Sequence, residues 1–563
     1  MFVARFVNRH NFFLNLLNQI IAFAKRRATC ACICEKILNF RCVLLEFTIK
    51  CRNISMPIND NSDSDEQIKS DDKLSSGAEG LDDVLRGGFP ANHIYLLEGE
   101  PGTGKTTLAL QFLREGVERG ERVLYVTLSE TKNELINVAR SHGWTLDGVD
   151  IFELLPSGDS LKPESQYTIF HPSEIELNET TAAVLAEVER INPRRIIFDS
   201  LSEMRLLARD PLRYRRQILA LKQYFTPREC TVLLLDDKTS DMGDLHVHSI
   251  VHGVVHLDHL AVEYGGERRR LRVIKLRGSS FRGGYHDFNI ETGGVRVFPR
   301  LVAADHRKDF KNEVIESGIT ELDRLLGGGL DRGTSNLLIG PAGSGKSSLA
   351  AQFVSCTAEN GENAAVFIFD EIIENYVKRA TGIGTKIQDY IDNGSLTVQQ
   401  VDPAELAPGE FAHAVIESVA RNNARVVVID SLNGYLNAMP EERFLTIQMH
   451  ELLTYLNKQG VVTMLIMAQH GFLGNAMASP VDVSYLADTV LMLRYFEADG
   501  AVRRALSVVK KRTGEHESTI REFRITKEGI TVGEPLREFR GVLTGVPTFI
   551  GHKNTFAVES DDE

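Results

Sequence analysis

Short apolar runs alternate with longer amphipathic stretches along most of the chain. Runs rich in leucine or β-branched residues predict strands in the first half at Ile94–Leu97, Val123–Thr127, Arg195–Phe198, Thr231–Leu235, Gly253–Leu257 and Leu271–Leu276. Turn-rich sequence at 283–294 follows the last run and favours an antiparallel hairpin on the sheet edge. Strands that alternate with helices are typical of a mostly parallel sheet flanked by helices, so the pattern predicts an α/β fold.

The same pattern occurs twice. The sequence from Ser76 aligns with the sequence from Ser317 at a constant offset of 241 residues and without a gap, and later landmarks keep their order. RRIIFDSLS corresponds to RVVVIDSLN, and LRVIKLRG corresponds to LSVVKKRT. Such agreement indicates a duplication. We expect one domain at 74–302, a linker at 303–316 and a second domain at 317–547.

Length and charge restrict the classes of partner. A chain of 563 residues is too long for one hydrophobic core, which agrees with two domains. The net charge of -13 argues against a surface built to coat nucleic acid. Apolar runs stay shorter than the roughly 20 residues needed to cross a bilayer. Neither nucleic acid nor a membrane is therefore an expected partner.

The segment 1–73 differs from the rest of the chain. Its first 55 residues are basic and hold five of the seven cysteines. A membrane-surface helix, a metal-binding cysteine tract and sequence translated from an early start codon all fit; we favour the third, because an acidic, solvated stretch follows Met56. Only Cys230 and Cys356 lie in the body of the chain, which favours a reducing cytoplasm. An acidic tail occupies 548–563 and could contact regulatory proteins.

Each domain carries the phosphate-binding motif G-x-x-x-x-G-K-[ST] between an apolar strand and an amphipathic helix. In this motif backbone N–H groups surround a phosphate at the helix N-terminus, the lysine reaches the β- and γ-phosphates, and the next hydroxyl, Thr106 or Ser347, holds Mg²⁺. The residues assigned to nucleotide binding are Gly99, Gly102, Thr103, Gly104, Lys105, Thr106, Thr107, Gly340, Gly343, Ser344, Gly345, Lys346, Ser347 and Ser348.

Carboxylates at strand ends complete each predicted site. Asp199 and Asp430 close apolar strands, where they would organise the water shell of the metal, although an aspartate there can also cap a helix. Glu130 and Glu371 share the offset of 241 and are the candidates to orient or deprotonate the attacking nucleophile; a solvated acidic loop is the alternative. We also place Glu371 near the metal. Asp370 precedes Glu371 as a further catalytic candidate.

Two cations with i, i+2 spacing lie on the last strand of each copy. Lys275 and Arg277 in the first, and Lys510 and Arg512 in the second, would share one face of their strand. Such residues often come from a neighbouring subunit and stabilise transition-state charge. A solvated basic strand edge is the alternative.

A histidine cluster needs a separate interpretation. His246, His248, His252, His256 and His259 fall within one short stretch, and helical spacing would align three of them as metal ligands. The interleaved valines and the repeat alignment instead favour a strand, and we expect a surface rich in titratable imidazoles.

Together these residues resemble the KaiC family of RecA-like ATPases over roughly 74–547. The doubled phosphate-binding motif, the doubled Asp-Ser-Leu and the two Lys-x-Arg strands carry the resemblance. It implies two tandem RecA-like P-loop NTPase domains in a homohexameric double ring, with ATP and Mg²⁺ between subunits. The first tier would hydrolyse ATP, and the second would also phosphorylate itself.

The resemblance adds further site residues. It places Leu276 and His516 beside the nucleotide and the phosphoacceptor at Ser484, with Tyr485 where the family has a second acceptor. The family's paired glutamates fall on Ser129/Glu130 and on Asp370/Glu371, so one member of each pair differs. We therefore expect a KaiC-like ATPase and serine/threonine autokinase in clock-related signalling, without the usual two-site phosphorylation cycle. A recombinase-type DNA-stimulated ATPase and a nucleotide-gated scaffold are the alternatives.

Overall fold

The computed structural model describes residues 73–154, 172–208, 210–237, 245–261, 265–306, 308–437, 445–469, 484–498, 500–543 and 548–550. The segment before Lys73 and the tail after Ile550 lie outside these residues, so their interpretations stay predictions.

Two nine-stranded sheets with matching strand order form the body of the described chain. Strands β1 (Lys73–Leu74) and β2 (Phe89–Pro90) form a short ribbon before the first sheet. The first sheet contains β3 (Ile94–Gly99), β4 (Val123–Thr127), β5 (Val149–Glu153), β6 (Arg195–Asp199), β7 (Thr231–Asp237), β8 (Gly253–Leu260), β9 (Arg268–Leu276), β10 (His286–Glu291) and β11 (Gly294–Phe298).

The second copy repeats this arrangement. A ribbon of β12 (Val314–Ile315) and β13 (Leu330–Asp331) precedes it, and a ribbon of β23 (Phe539–Arg540) and β24 (Thr548–Phe549) follows it. The second sheet contains β14 (Ser335–Gly340), β15 (Asn363–Ile368), β16 (Leu396–Gln400), β17 (Ala424–Asp430), β18 (Val462–Ala468), β19 (Thr489–Ala498), β20 (Ala501–Lys511), β21 (Arg521–Thr526) and β22 (Gly529–Pro535).

The order across the sheets is β5-β4-β6-β7-β3-β8-β9-β10-β11 and β16-β15-β17-β18-β14-β19-β20-β21-β22. From one edge through β8 or β19 the strands are parallel, and the remaining strands are antiparallel. This confirms the predicted fold of two tandem, mostly parallel α/β domains. The expected hairpin is β10–β11 at the sheet edge.

Helices cover the faces of both sheets. Those of the first domain are Leu81–Val84, Lys105–Glu118, Lys132–Ser141, Pro172–Ile191, Leu201–Ala208, Pro211–Phe225 and Leu245–Ile250. Those of the second are Thr320–Leu325, Lys346–Glu359, Ile373–Thr381, Ile387–Asp392, Pro408–Asn422, Leu432–Asn437 and Leu445–Lys458. Short 3-10 helices span Ala303–Asp305 and Ser484–Leu486.

The central strands are buried on both faces, which explains why they are almost wholly apolar. In β4, for example, Leu124 joins the hydrophobic cluster on one face of the sheet and Tyr125 joins the cluster on the other. The six strands predicted for the first domain are therefore confirmed, with ends that extend by up to three residues. The edge strand β5, whose sequence VDIFE mixes charged and apolar residues, was not predicted.

Two boundaries differ from those expected. Val314–Ile315, placed in the linker, pairs with β13 and so belongs to the second domain. The first residues of the expected tail form β24, in which Phe549 packs against Phe539. Both are two-residue strands, too short for periodicity to reveal.

The two domains contact each other directly. Arg268, at the start of β9, donates hydrogen bonds to the carbonyl oxygens of residues 403–405 at 2.8 to 3.0 Å. Asp287 on β10 accepts a hydrogen bond of 2.7 Å from the N–H of Gly409, in the first turn of the helix Pro408–Asn422. A carboxylate is favourable at that helix end because it meets the unpaired N–H groups there.

Candidate nucleotide-binding and catalytic sites

The first phosphate-binding loop joins the centre of the sheet to a helix. It leaves β3 at Gly99, and the helix Lys105–Glu118 begins after Gly104, whose φ is 94°. A Cβ at Gly104 would lie 2.5 Å from Ile290 of the β10–β11 hairpin, so both the backbone conformation and the packing require glycine. The first N–H groups of the helix lack acceptors within the helix and can bind a phosphate.

The second loop repeats this geometry. Gly345 has a φ of 102°, and a Cβ there would lie 2.6 Å from Ile525 of β21. The helix Lys346–Glu359 follows directly. The aligned loops therefore share backbone conformation and hairpin cover, which sequence alignment alone could not establish.

The two loop lysines have different surroundings. Lys105 Nζ donates to the carbonyls of Gly99 and Glu100, each at 2.9 Å, and pairs with Asp237 at 2.7 Å. Lys346 Nζ makes the equivalent carbonyl contacts at 2.9 and 2.7 Å. Burial lowers the pKa of Lys346 to about 8, although the negative charge of Asp430 opposes this shift.

The predicted metal ligands come together in both domains. The hydroxyl of Ser347 hydrogen-bonds to Asp430, whose pKa burial raises. In the first domain Tyr125 donates a short hydrogen bond to Asp199 and also contacts the hydroxyl of Thr106. Tyr125 was not predicted as a site residue, because it is one residue of an apolar strand and nothing in its spacing marks it.

Glu130 lies in a desolvated position beside the first loop. Its N–H donates to Thr127 Oγ1 at 2.9 Å, which orients the turn after β4. Its Oε2 is buried and has no hydrogen-bond partner within the described part of the chain. Burial and the nearby carboxylates of Asp199, Glu134 and Asp237 raise the pKa of Glu130 to about 7. A carboxyl with such a pKa is suited to accept a proton near neutral pH.

Glu371 occupies the aligned position in the second domain but has a cation beside it. Arg379 Nη2 pairs with Glu371 Oε1 at 2.5 Å. Burial raises the pKa of Glu371, and the guanidinium opposes that shift. The position of Arg379 corresponds to Val138, a partly buried apolar residue. The two catalytic candidates therefore differ in their electrostatic surroundings, because a cation opposes the rise in pKa at Glu371 and none is among the causes at Glu130.

Asp370 also has a specific partner. Its Oδ2 accepts a hydrogen bond of 2.5 Å from Ser431 Oγ, directly after the metal candidate Asp430. The first domain carries Ser129 instead of this acid.

The Lys-x-Arg cations lie away from the phosphate-binding loop of their own domain. Lys275 is opposite Val254, which pairs with Leu96 of β3. Leu96 precedes Gly99 by three residues, about 10 Å along the strand. Lys275 donates a short hydrogen bond to the carbonyl of His248, and Arg277 donates to the neighbouring carbonyl of Ser249 at 3.1 Å.

The second copy shows the same separation. Lys510 pairs with Val490, which pairs with Leu337, three residues before Gly340. Its Nζ donates to Ala487 O at 2.7 Å. Arg512 donates to Tyr485 O at 3.2 Å, beside the backbone of Ser484. The backbone of the predicted phosphoacceptor and the second-domain cations therefore lie at the same end of the central strands, opposite the phosphate-binding loop. The side chain of Ser484 itself lies outside the described residues.

The remaining assigned residues are dispersed. Thr107 Oγ1 lies 3.4 Å from His142 Nε2, and Ser348 is buried in the second loop helix. Leu276 is buried at the end of β9, and His516 lies in the segment between β20 and β21.

The interpretation of the histidine cluster was partly wrong. Residues 253–260 form β8, but Leu245–Ile250 is a helix, and His256 is only 6% exposed. His248 Nε2 and His256 Nδ1 lie 2.6 and 3.1 Å from the carboxylate oxygens of Glu98. Burial alone would raise the pKa of Glu98, but hydrogen bonds from the two histidines lower it to about 2. The imidazoles face a buried carboxylate because Glu98 pairs with His256 in the sheet register.

Two further classes of site are not found in the described ranges. They contain no group of three or more His, Cys, Asp or Glu side chains arranged to hold a metal ion. Among the described helices, none is long and apolar enough to cross a membrane.

Comparison with known proteins identifies similar chains. A family model described as the KaiC ATPase matches residues 74–302 and again 315–537. Over 502 residues the chain is 27% identical to the circadian clock oscillator protein KaiC of Parathermosynechococcus lividus, covering 88% of this chain and 92% of that protein. It is 26% identical to KaiC of Synechococcus elongatus, with coverage of 87% and 94%. Identity to the circadian clock protein KaiC3 of a Synechocystis strain is also 26%, with coverage of 86% and 96%.

Proposed function

This chain belongs to the KaiC family of ATPases, and from that premise we propose that it forms a homohexameric double ring that hydrolyses ATP in its first tier and phosphorylates itself on Ser484 in its second. One observation supports the ring above all. In both domains the loop lysine and the Lys-x-Arg cations lie toward opposite ends of the same central strands. A subunit cannot complete its own phosphate site with these cations, whereas a neighbour in a ring can supply them.

The residues around each loop fit a Mg²⁺–ATP complex. The glycine loop and helix N-terminus provide backbone donors, and a hydroxyl lies beside a buried aspartate, Ser347 with Asp430 and Thr106 near Asp199. These oxygen ligands suit Mg²⁺, which would neutralise charge on the β- and γ-phosphates. The lysines exchange their loop carbonyl partners for phosphate oxygens when ATP binds.

Glu130 is the base of the first domain. Its orphaned Oε2 can accept a hydrogen bond from the attacking water, and its raised pKa suits it to take the proton. Asp237, beside Lys105, contributes to the negative potential that raises this pKa.

In the second domain the acceptor is a protein hydroxyl. Asp370 lies at the end of the strands that carries the phosphate-binding loop, and its hydrogen bond with Ser431 fixes its carboxylate. Ser484 lies at the opposite end of the strands, near the cations that a subunit offers to its neighbour. Asp370 of one subunit would therefore deprotonate Ser484 of the next, so that phosphorylation occurs between subunits.

Regulatory partners and location complete the proposal. The acidic sequence 559–563 offers a charged contact for proteins that respond to the state of the ring. Cys230 and Cys356 are buried free thiols, as expected for a protein of the reducing cytoplasm.

The test uses the purified full-length chain with γ-labelled ATP. We expect release of ADP, a hexamer by light scattering in ATP, and label on Ser484. Lys105→Ala should abolish most of the ADP release but leave the label on Ser484, whereas Lys346→Ala and Ser484→Ala should each remove that label. Monomers that are independent of nucleotide, or label that survives Lys346→Ala, would contradict the proposal.

A further inference from the structure

We propose that His248 couples the nucleotide site held in a subunit's first domain to the cations that the same subunit supplies to its neighbour. This inference rests on the proposed ring. It concerns a positioning residue, which does not touch the nucleotide.

The first link joins the loop strand to a helix. Glu98 directly precedes Gly99, and its side chain is buried, with 7% of it exposed. Glu98 Oε2 lies 2.6 Å from His248 Nε2, on the helix Leu245–Ile250. His256 on β8 holds the other carboxylate oxygen at 3.1 Å. When a bound phosphate repositions the loop, it therefore also shifts the buried carboxylate of Glu98, whose shorter histidine contact is with His248.

The second link joins that helix to the neighbour-facing cations. The backbone carbonyl of the same residue, His248, accepts a short hydrogen bond from Lys275 Nζ. The next carbonyl, Ser249 O, accepts from Arg277 at 3.1 Å, and Ile250 O accepts from Lys222 at 2.7 Å. One six-residue helix thus binds the loop strand through a side chain and both cations through its backbone. If the contact between His248 and Glu98 moves, the helix moves with it and changes the positions of Lys275 and Arg277.

The duplication provides an internal comparison. In the second domain the position of Glu98 is occupied by Ile339, and the position of His256 by Met492, which pairs with Ile339 in the sheet. The position of His248 corresponds to Ser484, because Thr489 and Gly253 occupy the same register on their strands. The polar link is therefore a property of the first domain, and coupling through it is expected in the first tier alone.

The experiment measures cooperativity of ATP hydrolysis by the hexamer. All variants are made in a parent chain that carries Glu371→Gln. This substitution removes the second-domain counterpart of Glu130 and so suppresses ATP hydrolysis there, and ADP release then reports the first domain. We expect its rate to depend on ATP concentration with a Hill coefficient of about 2 or more, as for coupled sites in a ring. His248→Ala should reduce the coefficient to about 1 while the maximal rate stays within about threefold, because Glu130, Lys275 and Arg277 are all retained and the two cations bind backbone carbonyls that the substitution leaves in place.

Matched variants separate coupling from folding. His248→Gln retains an N–H at the position of Nε2 and should restore most of the cooperativity. His259→Ala changes a histidine of β8 that contacts Glu267 rather than Glu98 and should leave the coefficient unchanged. Glu98→Ile combined with His256→Met imports the apolar pair of the second domain and should abolish cooperativity even if His248→Ala folds poorly.

Two results would overturn the inference. One is a Hill coefficient of about 1 in the hexameric parent, and the other is a cooperative His248→Ala hexamer. Failure of the parent to form hexamers or to release ADP is observed separately, by light scattering and by product assay, and would instead contradict the proposed function.

Discussion

The contrast between Glu130 and Glu371 predicts different pH dependence for the two domains. Free-enzyme groups titrate in kcat/KM, so hydrolysis by the first domain should lose activity as the pH falls through about 7, the pKa of Glu130. At pH 6 only about a tenth of the Glu130 carboxyls would be ionised. The perturbation that tests this cause is Val138→Arg, which places the guanidinium of the second domain at the corresponding position in the first.

The size of the effect follows from the ion pair in the second domain. Arg379 lies 2.5 Å from Glu371, and a guanidinium at this range lowers a carboxyl pKa by about 1 to 3 units. Because Glu130 is only partly buried, we expect a shift of about 1.5 units after screening. Val138→Arg would then keep about three quarters of its plateau kcat/KM at pH 6, about eightfold more than the parent relative to its own plateau.

The assay measures kcat/KM for ADP release from about pH 5.5 to 8.5 in the Glu371→Gln parent. Asn137→Arg adds the same charge at the adjacent, exposed position of the helix and should leave the profile near that of the parent. In a chain that keeps Glu371, Arg379→Val should raise the pKa of that carboxyl, because the guanidinium that opposes the shift is removed. Identical profiles for Val138→Arg and the parent would refute the reasoning, as would a parent midpoint near the ordinary glutamate value.

The pH dependence of thermal stability tests the raised pKa of Glu130 independently of activity. A carboxyl whose folded pKa is raised contributes stability that is complete below its unfolded value of 4.5 and is lost as the pH rises through about 7. Glu130→Gln should therefore raise Tm at pH 8 relative to wild type and have a smaller effect at pH 5. Equal shifts at both values would contradict a raised pKa.

Three further predictions concern other parts of the structure. Because the Lys346 pKa is about 8, affinity of the second site for a fluorescent ATP analogue, in a Lys105→Ala chain, should fall above that pH by up to about tenfold per unit; a flat profile would disagree. Arg277→Ala and Lys105→Ala chains should each lack first-domain activity, yet an equal mixture should recover about a quarter of the first-domain ADP release of wild type if cations act between subunits. Gly294→Ala should cost about 2 to 3 kcal/mol in urea denaturation, because its Cβ would meet Trp144 at 2.5 Å, whereas Gly293→Ala, which meets open space, should cost about 1 kcal/mol.

The sequence predicted those features whose physical cause is local. Strands such as β4 are buried on both faces, so their apolar runs stand out, and the glycine loops carry their own backbone requirement. The repeat offset then placed Glu130 and Glu371 at matching positions. The family resemblance is confirmed by the match over both domains.

Features that depend on pairing between distant residues were not predictable in this way. Glu98 meets His248 only because β3 lies next to β8 and a short helix returns over it. Arg379 reaches Glu371 across a loop and two helical turns. The separation of Lys275 from its own phosphate loop similarly required the sheet register.

The junction between the domains has an evolutionary consequence. Arg268 recognises three main-chain oxygens, so the loop at 403–405 contributes its shape rather than the identity of its side chains. That loop can drift in sequence among homologous proteins while Arg268 remains constrained. Chimeras that exchange one half of the molecule between distant members should therefore retain this joint wherever the loop keeps its backbone path, even when its residues share no identity.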